Sequence, residues 1–293
     1  MSAAPISQVT RGVALMILAI FFFTAMDATA KGLIARYPAP QVIWVRFAGQ
    51  LALVLIILGP RLGPALRTRF PVLHFWRSAS QFGATTFFFL SLPHVGLAEA
   101  TAIADINPVL ITLGAALFLG EKLGPRRIAG VFVALAGALI VIRPGAGVFS
   151  WWAILPLLCA ISYATSALLT RKVGAQESVW SSMVYASLFG TLAAGAALPF
   201  VWEPVAAGDL WQFGLIACLG TLAQLCIIRS FSITEASVVA PFAYLGIVFA
   251  TIWGAVLYDQ WPDRWTVIGA LVIVGAGLYV WHRENRASRT PKP

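Results

Sequence analysis

Charge is what this sequence has least of. Asp, Glu, Lys and Arg make up 11% of its 293 residues, where an ordinary soluble domain carries about 25%. A soluble enzyme of this length is excluded on that figure. Cysteine is also scarce. Cys159, Cys218 and Cys226 all fall in apolar runs and form no CxxC, so they read as small packing residues, neither a disulfide framework nor thiolate metal ligands. The three histidines, at 74, 94 and 282, are scattered, and neither HExxH nor GxSxG occurs. A metal site and a hydrolytic nucleophile–base pair both lack their residues, and nothing in the sequence asks for a cofactor. No Walker A stretch is present, which removes ATP as the direct drive. The net charge of +9 sits in short loops and the C-terminal tail. It forms no continuous basic face along which a phosphate backbone could run, so nucleic acid is not an expected partner.

What the chain has instead is apolar length: 60% hydrophobic residues and a mean hydropathy of +0.86. Runs bounded by Pro, Gly and charge predict ten helices near 12–31, 41–59, 72–92, 97–119, 128–142, 151–170, 179–201, 210–228, 235–257 and 265–281. Spans of about 20 residues cross a bilayer, so the expected fold is an all-α integral membrane protein of ten transmembrane helices, the fifth and tenth short. Loop charge orients it. With the N-terminus in the cytoplasm, Arg11, Arg61, Arg67, Arg69, Lys122, Arg126, Arg127, Arg171, Lys172, Arg229, Arg283, Arg286, Arg289 and Lys292 lie inside. Only Lys31, Arg36, Arg143 and Arg264 fall outside, which places both termini in the cytoplasm. Ala28-Thr29-Ala30 after a long apolar stretch mimics a signal-peptide cleavage site. Cleavage there would leave nine spans and damage an internal repeat, so the segment is read as the first helix.

That repeat appears when residues 116–141 are laid on 255–280. Gly130 then meets Gly269, Leu139 meets Leu278 and Val141 meets Val280. Further upstream, Ala98-Glu99-Ala100 resembles Thr234-Glu235-Ala236. Five helices per half is an odd number, so the halves enter the membrane in opposite senses. Two inverted five-helix repeats are expected, residues 1–145 and 146–282, followed by a basic cytoplasmic tail at 283–293. In such architectures the solute site lies near the midplane between the halves.

Polar residues at membrane depth are costly and are functional candidates by default. On the fourth helix Thr101, Asp105, Pro108 and Thr112 share a face. Pro108 frees the carbonyl of Ala104, four residues back, and the amide of Asn107 is its neighbour. This stripe either contacts solute or simply heals a proline kink. Ser237, Pro241 and Tyr244 repeat the design on the ninth helix. On the third helix His74, Arg77, Gln81 and Thr85 form another face. Arg77 there either snorkels to the headgroups or is the counter-ion of a solute carboxylate. Gln224 is the analogue of Gln81 in the second half. Tyr163, Tyr185 and Tyr244 lie deep enough to stack on a solute, though packing alone also accounts for deep aromatics.

Asp27 and Lys31 form an i,i+4 pair, and Arg46 on the second helix is within reach of Asp27. An ion pair there would act as an outer gate or simply neutralise Arg46. Glu99 and Glu235 begin helices, where a carboxylate favours the N-terminal dipole, and they are proton carriers only second. Trp151, Trp152, Trp202, Trp211, Trp261, Trp265 and Trp281 suit an interfacial belt. Small residues on the fifth and tenth helices (Gly130, Ala134, Gly137; Gly269, Gly275, Gly277) permit close packing within a monomer or across a homodimer.

The opening stretch GVALMILAIFFFTAMDATAKGLIARYPAPQVIWVRFAGQ resembles the first two helices of EamA-type members of the drug/metabolite transporter superfamily. Glu99-Ala100, Asn107-Pro108 and Leu119-Gly120-Glu121 are similar to that family's fourth-helix signature, and Ala240-Pro241-Phe242-Ala243-Tyr244 resembles its second-half counterpart. Asp259-Gln260 departs from the Gly-Glu common there. The resemblance implies a carrier of the bacterial inner membrane, an exporter or exchanger of amino acids, their derivatives or other small metabolites, with some relatives importing riboflavin or S-adenosylmethionine. Asp105, Arg77, Gln81, Gln224 and the aromatics together suit a zwitterion, including an opine-like metallophore. The expected partners are that solute and the membrane lipids. A channel or an intramembrane enzyme fits the sequence less well.

Overall fold

A backbone surrounded by hydrocarbon must satisfy its own hydrogen bonds, and this chain does so with helices. The computed structural model describes residues 6–59, 62–66, 68–119, 125–142, 151–173, 178–233 and 240–289, and no strand occurs among them. The principal helices are α1 (Ile6–Ile34), α2 (Ala39–Leu58), α3 (Pro71–Ser91), α4 (Leu97–Ala104), α5 (Asn107–Leu119), α6 (Pro125–Ile142), α7 (Ile154–Val173), α8 (Val179–Gly195), α9 (Leu210–Ile233), α10 (Leu245–Tyr258) and α11 (Arg264–Arg289). Short helical turns at Leu62–Leu66 and Leu198–Val201, and 3₁₀ turns at Trp151–Ala153, Ala207–Asp209 and Ala240–Tyr244, join or extend them. Proline opens α2 and α3, where its missing N–H costs nothing and its fixed φ suits the first turn.

Among the described residues, four helical stretches are individually long and apolar enough to cross a membrane: Thr10–Ile34, Ala39–Leu58, Trp151–Thr170 and Ala207–Ile227. Phe132–Val141, Phe242–Tyr258 and Arg264–Ala276 are shorter apolar helices. Large apolar side chains stand exposed on the outer helix faces, Ile56, Phe118, Phe132, Val256 and Leu271 among them. That pattern belongs to a bundle solvated by lipid. Trp151, Trp152, Trp202, Trp211, Trp261 and Trp265 are exposed as well.

Several expected boundaries change. The helix expected at 97–119 is two helices, because α4 ends at Ala104, residues 105 and 106 turn, and α5 restarts at Asn107. The one expected at 179–201 stops at Gly195, and after a turn Leu198–Val201 forms a separate short piece. The tenth is long rather than short, running from Arg264 to Arg289. Residues 234–239, which carry the start of the expected ninth helix and Glu235, lie outside the described residues.

The main packing partners are α1 with α9, α3 with α7, α2 with α8, and α6 with α11, while α10 lies against α1 and α4, and α7 against α4 and α5. Exchanging α1, α2, α3, α4/α5 and α6 for α7, α8, α9, α10 and α11 maps this set of contacts onto itself. The α6–α11 contact is close at the backbone itself. A Cβ on Gly269 would stand 2.6 Å from the carbonyl oxygen of Gly137, so the backbones touch only because both residues lack side chains.

At one end of the bundle, polar groups tie the α1–α2 turn to the α8–α9 connection. Arg36 pairs with Asp209 and donates to Gln212 at 2.6 Å. The Tyr37 hydroxyl donates to Asp209 at 2.8 Å and accepts from the Ala206 N–H at 3.1 Å. The Gln41 amide donates to the Glu203 carbonyl and accepts from its N–H, at 2.9 and 3.0 Å.

Candidate functional site

The break in the fourth apolar run is the first element of the site. Asp105 caps α4, its N–H still bonded to the Thr101 carbonyl at 2.9 Å. Pro108 has no N–H for the carbonyl of Ala104, and the Asn107 side chain donates to that carbonyl instead, at 3.0 Å. The side chain thereby performs the backbone's missing bond. The break frees Asp105 to leave the helix surface. Its Oδ2 is buried with no hydrogen-bond donor among the described residues. Gly246 of α10 faces it, and a Cβ there would sit 3.7 Å from Oδ2. Tyr244, largely buried at the end of the Ala240–Tyr244 turn, lies close enough for the carboxylate to act on it electrostatically.

The second element is Arg46, buried mid-way along α2. Its Nε donates to the Met26 sulfur at 3.2 Å and its Nη1 to the Thr85 hydroxyl at 2.7 Å. Its cation lies 4.8 Å from the Phe47 ring centroid and 5.8 Å from that of Phe89. Thr85 donates onward to the Gln81 carbonyl at 3.3 Å, and the Gln81 side-chain oxygen accepts from Ser166 of α7 at 3.3 Å. Between described residues the only ion pair is Arg36–Asp209. Asp27 and Arg46 are not paired in this structure, although each feels the other's charge. Asp27 makes no hydrogen bond among the described residues and remains half-buried, as do Gln81, Asp105 and Cys159.

Cys159 of α7 links the two elements, since Asp27, Arg46 and Asp105 all act on it, and Asp105 also acts on Tyr163 one turn further on. Asp27, Arg46, Asp105, Cys159, Tyr163 and Tyr244 thus share one electrostatic neighbourhood. They come from α1, α2, the α4–α5 break, α7 and the approach to α10. Asp27, Gln81, Asp105 and Cys159 each keep accessible surface, which we read as a cleft between helices drawn from both ends of the sequence. The arrangement can hold opposite charges of one solute apart, with two carboxylates and one guanidinium available.

Other expected site residues lie elsewhere. Arg77 does not join the cluster. It is buried and donates to the Ser182 carbonyl of α8, and at 1.5 Å per residue it stands about 12 Å along α3 from Thr85. Tyr185 is beside it, stacked on His74 with ring centroids 4.9 Å apart and bonded to the Leu66 carbonyl at 2.7 Å. Lys31 does not pair with Asp27. Its ammonium donates to the Leu92 carbonyl and, at 2.9 Å, to that of Val95, where a cation complements the end of α3. Glu99 lines a separate cavity of about 220 Å³ with Gln260, Trp261, Asp263 and Thr266. Gln224 is half-buried on α9 with no hydrogen bond among the described residues. Pro108 and Pro241 are described only in their backbones, helical and 3₁₀. Sequence reasoning read Cys159 as packing alone and did not find Met26 or Ser166, because nothing in their local sequence reports which helix they face.

A profile of the EamA-like transporter family matches residues 10–143 and again 150–281. The pseudopaline exporter CntI of Pseudomonas aeruginosa is 30% identical over 90% of this chain and 94% of its own length. A riboflavin transporter of Rhizobium johnstonii is 28% identical, covering 97% and 95%, and an S-adenosylmethionine uptake transporter of Rickettsia bellii 25%, covering 94% and 95%. A chain of known crystal structure aligns over 95% of this protein and 99% of itself with a TM-score of 0.67 at 20% identity, a likeness of fold alone.

Proposed function

This chain belongs to the EamA-like transporter family, and from that premise we propose a secondary transporter that moves a zwitterionic amino acid or amino-acid derivative, such as an opine-like metallophore, by alternating access. The chain is a multi-pass membrane transporter of a small molecule. The finer reading rests on one observation. A guanidinium and two carboxylates act on the same Cys159 thiol without forming an ion pair with one another, so the charges are available to a guest that carries both signs. Burying ions at membrane depth is costly, and a zwitterion repays part of that cost only while it is bound.

The self-mapping of the helix contacts supports two inverted five-helix repeats that rock about the cleft. In this reading ten helices cross the inner membrane, both termini are cytoplasmic, the protein works as a monomer or homodimer, and the direction is export or exchange. Acidic groups outnumber basic ones in the cleft, which favours one second reading, a solute with an additional positive charge such as S-adenosylmethionine.

Counterflow in proteoliposomes tests the proposal. Vesicles preloaded with unlabelled amino acids, an opine-type derivative, S-adenosylmethionine or riboflavin are challenged with the labelled counterpart. Accumulation of an amino-acid-like solute is expected. Accumulation of S-adenosylmethionine alone moves the assignment to the second reading, and accumulation of riboflavin alone, a solute for which the charged cleft has no use, overturns both.

A further inference from the structure

The buried cations of this protein are used differently. Lys31 is held by two carbonyls, and Arg77 lies beyond the carboxylates, against the Ser182 carbonyl. Among the described residues Arg46 alone is fixed within reach of the cleft. A guanidinium has five N–H donors, and Arg46 spends one on Met26 and one on Thr85. The remaining Nη1 hydrogen and both on Nη2 find no acceptor among the described residues. The unspent Nη1 and Nη2 hydrogens are charged donors of the kind that receives a planar carboxylate. Thr85 and Met26 fix the fork on one side and the Phe47 and Phe89 rings flank it, so the edge is oriented before any guest arrives. No side-chain carboxylate of a described residue occupies it.

We propose that Arg46 is the anchor for the carboxylate of the transported solute, received on its free Nη1/Nη2 edge, and that the solute's cationic nitrogen lies at the opposite end of the cleft against Asp105. This rests on the zwitterion reading above and adds an orientation to it. The carboxylate points to α2 and α3 and the cation to the α4–α5 break, and Cys159, packed against the cluster that holds Met26, Phe47 and Phe89, feels the charge of both Arg46 and Asp105. Arg46 is thereby a recognition residue, and Arg77 is not.

Cys159 provides the reporter. With Cys218→Ser and Cys226→Ser it is the only cysteine left. The full-length protein is treated with the anionic 2-sulfonatoethyl and the cationic 2-(trimethylammonio)ethyl methanethiosulfonates. The anionic-to-cationic rate ratio is expected to fall about tenfold or more in Arg46→Gln, to hold within about threefold in Arg46→Lys, and to be unchanged in Arg77→Gln. An unchanged ratio in folded Arg46→Gln, or a fall in Arg77→Gln in its place, overturns the anchor. So does failure of both reagents to reach Cys159, which would remove the cleft.

If Arg46→Gln does not fold, a measurement on the intact arginine decides. Acetate is expected to slow modification of Cys159 by neutral N-ethylmaleimide and acetamide is not; equal effects overturn the proposal. The two readings fail separately. Absence of amino-acid counterflow with the ratio still shifting sinks the transport assignment and leaves an anion anchor. Counterflow with an indifferent ratio sinks the anchor alone.

Discussion

Replacing Gly190 with alanine should loosen both the fold and the candidate site, because of what lies opposite it. A Cβ at position 190 would be 2.4, 2.5 and 2.7 Å from Cγ, Cδ1 and Cδ2 of Phe47. Carbon atoms in van der Waals contact sit about 3.5–4.0 Å apart, so the ring or the helix must retreat by about 1 Å. The ring has little room, since Phe47 is 2% exposed. Its other contacts are Phe82, at 5.8 Å between centroids, and the Arg46 guanidinium. Overpacking of this kind costs about 1–3 kcal/mol. For a domain of 150–250 residues each kcal/mol moves Tm by about 2–4 °C, so a fall of several degrees is expected.

The assay is thermal unfolding of purified protein in one fixed detergent, followed through a mutant cycle. Phe47→Leu should lose stability by itself, but Gly190→Ala on that background should cost at least about 1 kcal/mol less than on the parent, because the clash is gone. Counterflow should fall in Gly190→Ala and recover partly in the double variant as Arg46 regains its position. An unchanged Tm in Gly190→Ala, together with additive effects in the cycle, would refute the claim that α2 and α8 are locked at this contact.

Three further outcomes follow from single groups. Asp105→Asn should leave Tm within about 1 °C, because Oδ2 receives no donor in the folded protein, yet reduce counterflow of a zwitterion by about 10- to 100-fold; full retention in the transport assay removes Asp105 from the site. Asn107→Ala should show the opposite pattern, losing about 1–3 kcal/mol by orphaning the Ala104 carbonyl, with solute affinity retained in a binding titration. The third concerns pH. The Tyr37 hydroxyl, and after it Arg36, hold the Asp209 carboxyl below its ordinary value of 3.8. Its contribution is therefore complete above pH 3.8 and is lost as pH falls through the lowered value, so hydrogen exchange at 202–209 should accelerate only below that point and Asp209→Asn should abolish the step.

The contrast between Arg46 and Arg77 shows why part of the site was legible in the sequence and part was not. Both are single cations in apolar runs, about 8 Å from a span end by helix rise, and nothing local separates them. Which one faces carboxylates depends on how α2 and α3 turn against helices more than a hundred residues away. The same holds for Lys31, whose acceptors are 61 and 64 residues distant, and for Cys159, read as filler until α7 brought it under the charge of Asp27 and Asp105.

Composition and local chemistry determined the rest. Too little charge and too much apolar length dictated a helical membrane protein, since only internally bonded backbone survives in lipid. Pro108 dictated that the fourth run could not continue unbroken, because a residue without an N–H leaves the carbonyl four positions back unanswered. That Asn107 answers it, that Asp105 is left facing Gly246, and that Arg46 keeps an edge open while Arg77 binds a carbonyl were decided by packing. Helical periodicity fixes which residues share a face, but only the tertiary contacts fix what that face meets.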